Sequence, residues 1–162
     1  MRPVLVLELL ILLTVANGTP VVAKRLFGSA FAQPLDGGAL FADGRPWFGP
    51  SKTIRGVVLA TLATAAAAGV LGLGWKVGAL LGVVAMAGDL LASFIKRRLG
   101  LAPSSQAVGL DQIPESLLPM LAGRLFMPVT GLDIAVTTLL FFVGEVILSR
   151  LLYKWHVRDR PY

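Results

Sequence analysis

The chain is predicted to fold as an all-α integral membrane protein: a five-transmembrane-helix bundle forming one domain over residues 1–162, with a long cytoplasmic loop after the first helix. Three observations predict it. Of the 162 residues, 56% are hydrophobic, and the mean hydropathy of +0.77 lies well above soluble composition. Five apolar runs, at 3–22, 57–73, 77–95, 113–130 and 132–153, approach the roughly 20 residues that cross a bilayer. The charges between these runs fall almost entirely on one side.

The first run has Arg2 before an apolar core and small residues at Ala16 and Gly18, which is the outline of a signal peptide. Glu8 inside the core and Lys24-Arg25 after it point instead to a retained helix. In the second and third runs, the Ala-rich stretch 61–69 and Gly74, Gly78 and Gly82 at four-residue spacing suit close helix packing. The fourth run is interrupted by Pro114, Glu115, Pro119, Arg124 and Pro128, so a half-inserted or re-entrant segment competes with a full crossing. In the fifth run Glu145 lies at a depth matching Arg124, which predicts an ion pair or a shared polar network between them, with Glu8 as the competing partner and a direct lipid role as the other reading.

With five crossings, one side holds Lys24, Arg25, Arg45, Lys52, Arg55, Lys96, Arg97, Arg98, Arg150, Lys154, Arg158 and Arg160, and the other only Arg2 and Lys76. Basic residues collect on cytoplasmic faces, so the N-terminus is expected outside and the C-terminus inside a cell (inner) membrane. Trp75 at one boundary and Tyr153 with Trp155 at the other suit the aromatic belts. This distribution also accounts for the net charge of +6 without a nucleic-acid partner. The chain has no cysteine, which excludes disulfides, thiolate nucleophiles and cysteine zinc sites, and its single histidine, His156, lies in the tail. No internal repeat supports an inverted-repeat transporter.

The chemistry is expected in two cytoplasmic loops, 23–56 and 96–112. The first contains PLDGG (34–38) and DGRPWFGPSKTIRG (43–56), whose turn formers and aromatic residues argue for an ordered segment. Its glycines allow backbone to approach a ligand, and Lys52, Thr53 and Arg55 suit phosphate oxygens. It is not a Walker loop, because Pro50 and Ser51 separate Gly49 from Lys52. A basic cluster for lipid headgroups explains the same residues. In GDLLASFIKRR (88–98), Asp89 lies about 20 Å along its helix from Lys76, inside the membrane boundary, with Ser93 and Lys96 on the same face. An acid at that depth costs at least about 2.5 kcal/mol on insertion scales and calls for a partner or a use. In GLDQIPESLLP (109–119), Asp111 suits either a magnesium–polyphosphate site shared with Asp89 or a solvated helix N-cap.

Together Asn17-Gly-Thr-Pro20, PLDGG, DGRPWFGPSKTIRG, GDLLASFIKRR and GLDQIPESLLP, in this order and spacing, resemble CDP-archaeol synthase and its bacterial relatives, within the membrane CTP-dependent cytidylyltransferases that include CDP-diacylglycerol synthase. The resemblance implies an enzyme of the bilayer that joins CTP to a membrane lipid phosphate, of archaetidic or phosphatidic acid type, with Mg²⁺ and release of pyrophosphate. It implies Asp89 and Asp111 as metal-binding acids, catalytic together with Lys52 and Lys96. Asp43, Gly49, Ser51, Lys52, Thr53, Arg55, Ser93 and Arg97 would face the nucleotide and its phosphates, and Asn17 and Pro20 would shape the site. The His-Gly-Gly segment of CDP-diacylglycerol synthases is absent, so no role transfers from it. A non-enzymatic lipid-binding or assembly protein is the alternative; it would need the basic loops but not Asp89 and Asp111.

Overall fold

The structure, a computed structural model, describes residues 1–154; Trp155, His156, Arg158 and Arg160, like the Tyr153 side chain, lie outside the described residues. Five helices follow one another: α1 Pro3–Phe27, α2 Ile54–Val70, α3 Trp75–Arg98, α4 Gln112–Gly123 and α5 Gly131–Lys154. Three of them, α1, α3 and α5, are long and apolar enough to cross a membrane, and α2 is a shorter apolar helix. Leu9, Leu12 and Leu13 of α1 meet Ala68, Leu81, Met120 and Phe141 from the other four helices in one buried cluster.

α1 outlasts its apolar run by a full turn. Pro20 sits inside it, and a proline removes one donor without ending a helix whose other bonds are kept. The helix stops at Gly28, whose φ of +52° breaks the helical path while its N–H donates to the Lys24 carbonyl. α2 starts at Thr53, whose Oγ1 accepts the Gly56 N–H at 3.1 Å, the standard way to satisfy a free donor at a helix start.

Small residues bring the helices together. A Cβ on Gly78 would lie 2.4 Å from the Thr64 carbonyl oxygen of α2, and one on Gly82 3.0 Å from the Thr61 Cα. Gly74 does not share that packing: it is the N-cap of α3 at φ +86°, with open space around it. A Cβ on Gly88 would lie 2.4 Å from the Pro114 carbonyl oxygen of α4. Here α3 lies directly on the α4 backbone.

The fourth apolar run departs most from expectation. α4 has 12 residues, about 18 Å of helix, and residues 124–130 continue as turns and extended chain. The segment nevertheless links opposite ends of the bundle. Asp111 at its start pairs with Lys96 in the last turn of α3, whereas Asp133 just beyond its end accepts the backbone N–H of Arg2 at 2.9 Å, together with the Thr130 N–H and hydroxyl. α1 and α5 therefore start at one end, and α3 and the long loop finish at the other. Among the described residues Arg124 and Glu145 form no ion pair. α4 ends one residue before Arg124, leaving that side chain exposed.

Candidate active site

Gly88 fixes where Asp89 sits. Because α3 touches the backbone of Pro114 and Glu115 at that glycine, the next residue is held against the start of α4 with its carboxylate at the loop end of the bundle. Lys52 comes from the long loop, and its Nζ donates to both Asp89 oxygens at 2.6 Å. Each of these side chains retains 23% of its exposure. Burial alone would lower the Lys52 pKa, but the Asp89 carboxylate, with Glu115 and Asp111 beyond it, raises it above the usual 10.5. The ammonium stays charged throughout the physiological range.

A second pair stands beside the first. Lys96 is buried, and its Nζ lies 2.5 Å from Asp111 and donates to the Ser105 carbonyl at 2.9 Å. Asp111 does precede α4, but its carboxylate makes no cap; the second oxygen accepts the Ala107 N–H at 2.8 Å. It therefore faces the lysine and not the helix it begins. Ser93, three residues before Lys96, and Arg97, directly after it, are also buried on α3. Arg97 donates from Nη2 to the Ala102 carbonyl at 2.8 Å, while its buried Nε has no protein partner.

The loop over residues 28–53 is a folded flap. Backbone bonds run from Leu35 N to Lys52 O, from Ile54 N to Gln33 O, and from Phe41 N to Arg45 O. Asp36 of the PLDGG stretch pins it, accepting the N–H groups of Gly38, Phe48 and Gly49 at 3.1, 3.0 and 2.9 Å. Burial works to raise the Asp36 pKa, but the three donors outweigh it and lower it from 3.8. Gly49, at φ +91°, lets this backbone pass over Arg97, whose Nη1 would be 3.4 Å from an added Cβ.

The tip of the flap is buckled onto α3. Arg98 pairs with Asp43 at 2.8 Å and lies against the edge-on rings of Phe41 and Phe94, 4.7 and 4.9 Å from their centroids, while Arg45 donates to the Arg98 carbonyl at 2.8 Å.

Ser51, Lys52, Thr53 and Gly56 share a cleft with Pro20 of α1 and with Met86, Asp89 and Leu90 of α3. At about 40 Å³ it has room for an ion or a few waters and is too small to enclose a larger ligand. Asn17 is one turn from Pro20 and donates to the Leu13 carbonyl of its own helix.

Of the expected site residues, the fold brings Lys52, Asp89, Lys96, Asp111, Ser93, Arg97, Gly49, Ser51 and Pro20 around the junction of flap, α3 and α4. Thr53 lines the cleft, but its hydroxyl caps α2. Arg55 instead donates to the carbonyls of Gly28 and Ala30, and Asp43 is engaged by Arg98. Sequence reasoning missed Glu115, which is 5% exposed and faces Lys52 and Asp89. In the sequence it interrupts an apolar run, and a carboxylate so placed is itself the signal. Asp36 and Arg98 were missed as the residues that fasten the flap.

Comparison with known proteins places the chain in a family. The profile of the CarS-like CDP-archaeol synthase family matches residues 64–162. A CDP-archaeol synthase of Methanopyrus kandleri is 38% identical over 141 residues, covering 81% of this chain and 63% of that protein, so the chain spans less than two-thirds of its length. A CDP-archaeol synthase of Sulfurisphaera tokodaii is 33% identical over 156 residues, covering 91% of this chain and 89% of that protein. A solved intramembrane enzyme for archaeal membrane lipid biosynthesis superposes with a TM-score of 0.68 at 26% identity, covering 85% of this chain and 90% of that one.

Proposed function

Because the chain belongs to the CarS-like CDP-archaeol synthase family, we propose that it is a membrane cytidylyltransferase that transfers CMP from CTP to a lipid phosphate. The observation that carries this reading is the pair of Lys–Asp contacts, Lys52–Asp89 and Lys96–Asp111, at the point where α3, α4 and the flap converge. A protein that only bound lipid headgroups would use the lysines and would have no need of the two acids. In this reading all five apolar segments cross the membrane, α4 together with 124–130 making the fourth crossing. The flap, the site and the C-terminus face the cytoplasm, where the basic residues collect.

An anionic oxygen of the lipid phosphate forms a bond to the α-phosphorus of CTP. The bond from that phosphorus to the β-bridging oxygen breaks, and pyrophosphate leaves with the electron pair. The nucleophile is already an anion, so no general base is required. This suits a site with no cysteine or histidine among the residues described for it. What the protein supplies is charge and alignment. Lys52 and Lys96 turn from their carboxylates to phosphate oxygens, Arg97 holds charge beneath the Gly49 backbone, and the flap limits access of water to the reacting phosphorus.

Asp89 and Asp111 fit a magnesium ion by their chemistry, since each is an oxygen donor already facing a cation. Among the described residues no three acids gather to hold an ion by themselves, which suits an ion completed by phosphate oxygens and water. When bound, it would neutralise charge on the departing pyrophosphate.

The test is purified protein in bilayers with radiolabelled CTP and, in turn, an isoprenoid-ether and an acyl-ester lipid phosphate. Labelled CDP-lipid from at least one is expected; none from either, with the fold intact, defeats the reading.

A further inference from the structure

The turn that follows α1 is strained and apolar at once. Phe31 has a φ of +55°, a region that a bulky side chain rarely occupies and that costs free energy. The residue is also 85% exposed, near Leu26 at 72% and Phe27 at 50% in the chain. In water both features would be unfavourable, and relaxing the turn would relieve both. The chain prevents this. The Arg55 guanidinium donates to the carbonyls of Gly28 and Ala30 and lies 5.8 Å over the Phe27 ring, while Ala30 N–H bonds to the Phe27 carbonyl and Ala32 N–H to that of Ser29. A clamp of this kind holds the phenylalanine out.

We propose that Leu26, Phe27 and Phe31 form a wedge inserted into the leaflet from which α1 emerges, anchoring the flap to the membrane surface. The occupant follows from position. α1 is long and apolar enough to span the bilayer and ends at Phe27, so residues 28–31 continue a surface already in contact with lipid. Lys24 and Arg25 stand in the last turn of that helix, and basic residues at a helix exit favour anionic headgroups. Exposed apolar groups beside basic residues at a helix exit are the pattern of an interfacial anchor. The flap is thereby held at both ends, by lipid at Phe31 and by Arg98 at Asp43. The inference rests on α1 being a membrane span and not on the transferase activity.

Because the chain has no cysteine, single labels report cleanly. Ala30→Cys and, as a control in the same flap, Ala42→Cys would each carry a fluorophore in full-length protein, in phosphatidylcholine–phosphatidylglycerol vesicles. At position 30, quenching by a lipid bearing a shallow spin label should be strong and quenching by aqueous iodide severalfold weaker than at position 42. Phe31→Ser should move position 30 towards the iodide response of position 42. Equal iodide quenching at 30 and 42 in the otherwise unchanged protein would overturn the proposal. So would shielding of position 30 from both quenchers, which would indicate a protein partner such as a second copy of the chain. Neither readout depends on CDP-lipid formation, so failure of the transferase reading would appear separately, in the unlabelled protein.

Discussion

At the scale of single residues, Lys52 and Asp89 illustrate what a linear reading reaches and where it stops. An acid inside an apolar run must have a partner, so Asp89 stood out from sequence. That the partner is Lys52, 37 positions away, depends on how the flap folds back. Glu115 escaped notice because prolines on either side made it look like part of a helix defect. Asp89→Asn and Asp111→Asn are each expected to lower CDP-lipid formation by at least about a hundredfold at limiting Mg²⁺, since loss of a ligand exceeds the loss from an outer-shell partner. Turnover against metal concentration checks this, and near-normal rates in either variant would remove that residue from the metal site. Lys52→Ala should raise the CTP requirement with little change in dependence on the lipid. Arg55→Ala should act differently. Its guanidinium holds the turn at Gly28 and Ala30, so the loss should fall on the use of bilayer-embedded lipid and leave CTP affinity near normal.

At the scale of elements, apolar runs located all five helices, because burial of apolar surface is what the runs encode. Their ends were less legible. α1 continued through Pro20 to a glycine cap, and α4 stopped early where prolines and Gly123 weaken it, details fixed by hydrogen bonds that hydropathy does not register. The order of the flap was legible from its turn formers, but its staple at Asp36 was not, because two of its three backbone donors, Phe48 and Gly49, come from 12 and 13 residues away and meet it only on folding. Gly88 gives a sharp test of how α3 and α4 position the site. Gly88→Ala should destabilise the protein by about 1–3 kcal/mol through overpacking on Pro114, and should lower activity more than the melting shift explains by displacing Asp89. Gly69→Ala, in open space on α2, should be neutral or slightly stabilising. Thermal melts in detergent with parallel assays distinguish the two. Comparable behaviour would mean that the α3–α4 approach is not what places the acid.

At the scale of the whole molecule, the alternating direction of the helices and the gathering of basic residues at one end agree, although charge says nothing about which helices touch. Orientation is the most accessible consequence. Lys76→Cys and Ala42→Cys, in the cysteine-free chain, should react with a membrane-impermeant maleimide from opposite faces of the membrane, with Lys76→Cys on the outside. Labelling of both from one face would overturn the five-crossing arrangement.

The two Lys–Asp pairs make nucleotide capture an exchange of partners. A lysine is released to a phosphate only as its carboxylate finds another cation, and a divalent ion reaches the carboxylate only as the ammonium finds another anion. Each ligand on its own must break a pair without replacing it; both together leave every charge matched. Binding should therefore be synergistic, with CTP affinity rising as divalent cation is added and cation affinity rising by the same factor as CTP is added. Asp89→Asn, which leaves Lys52 without its carboxylate, should weaken that mutual dependence.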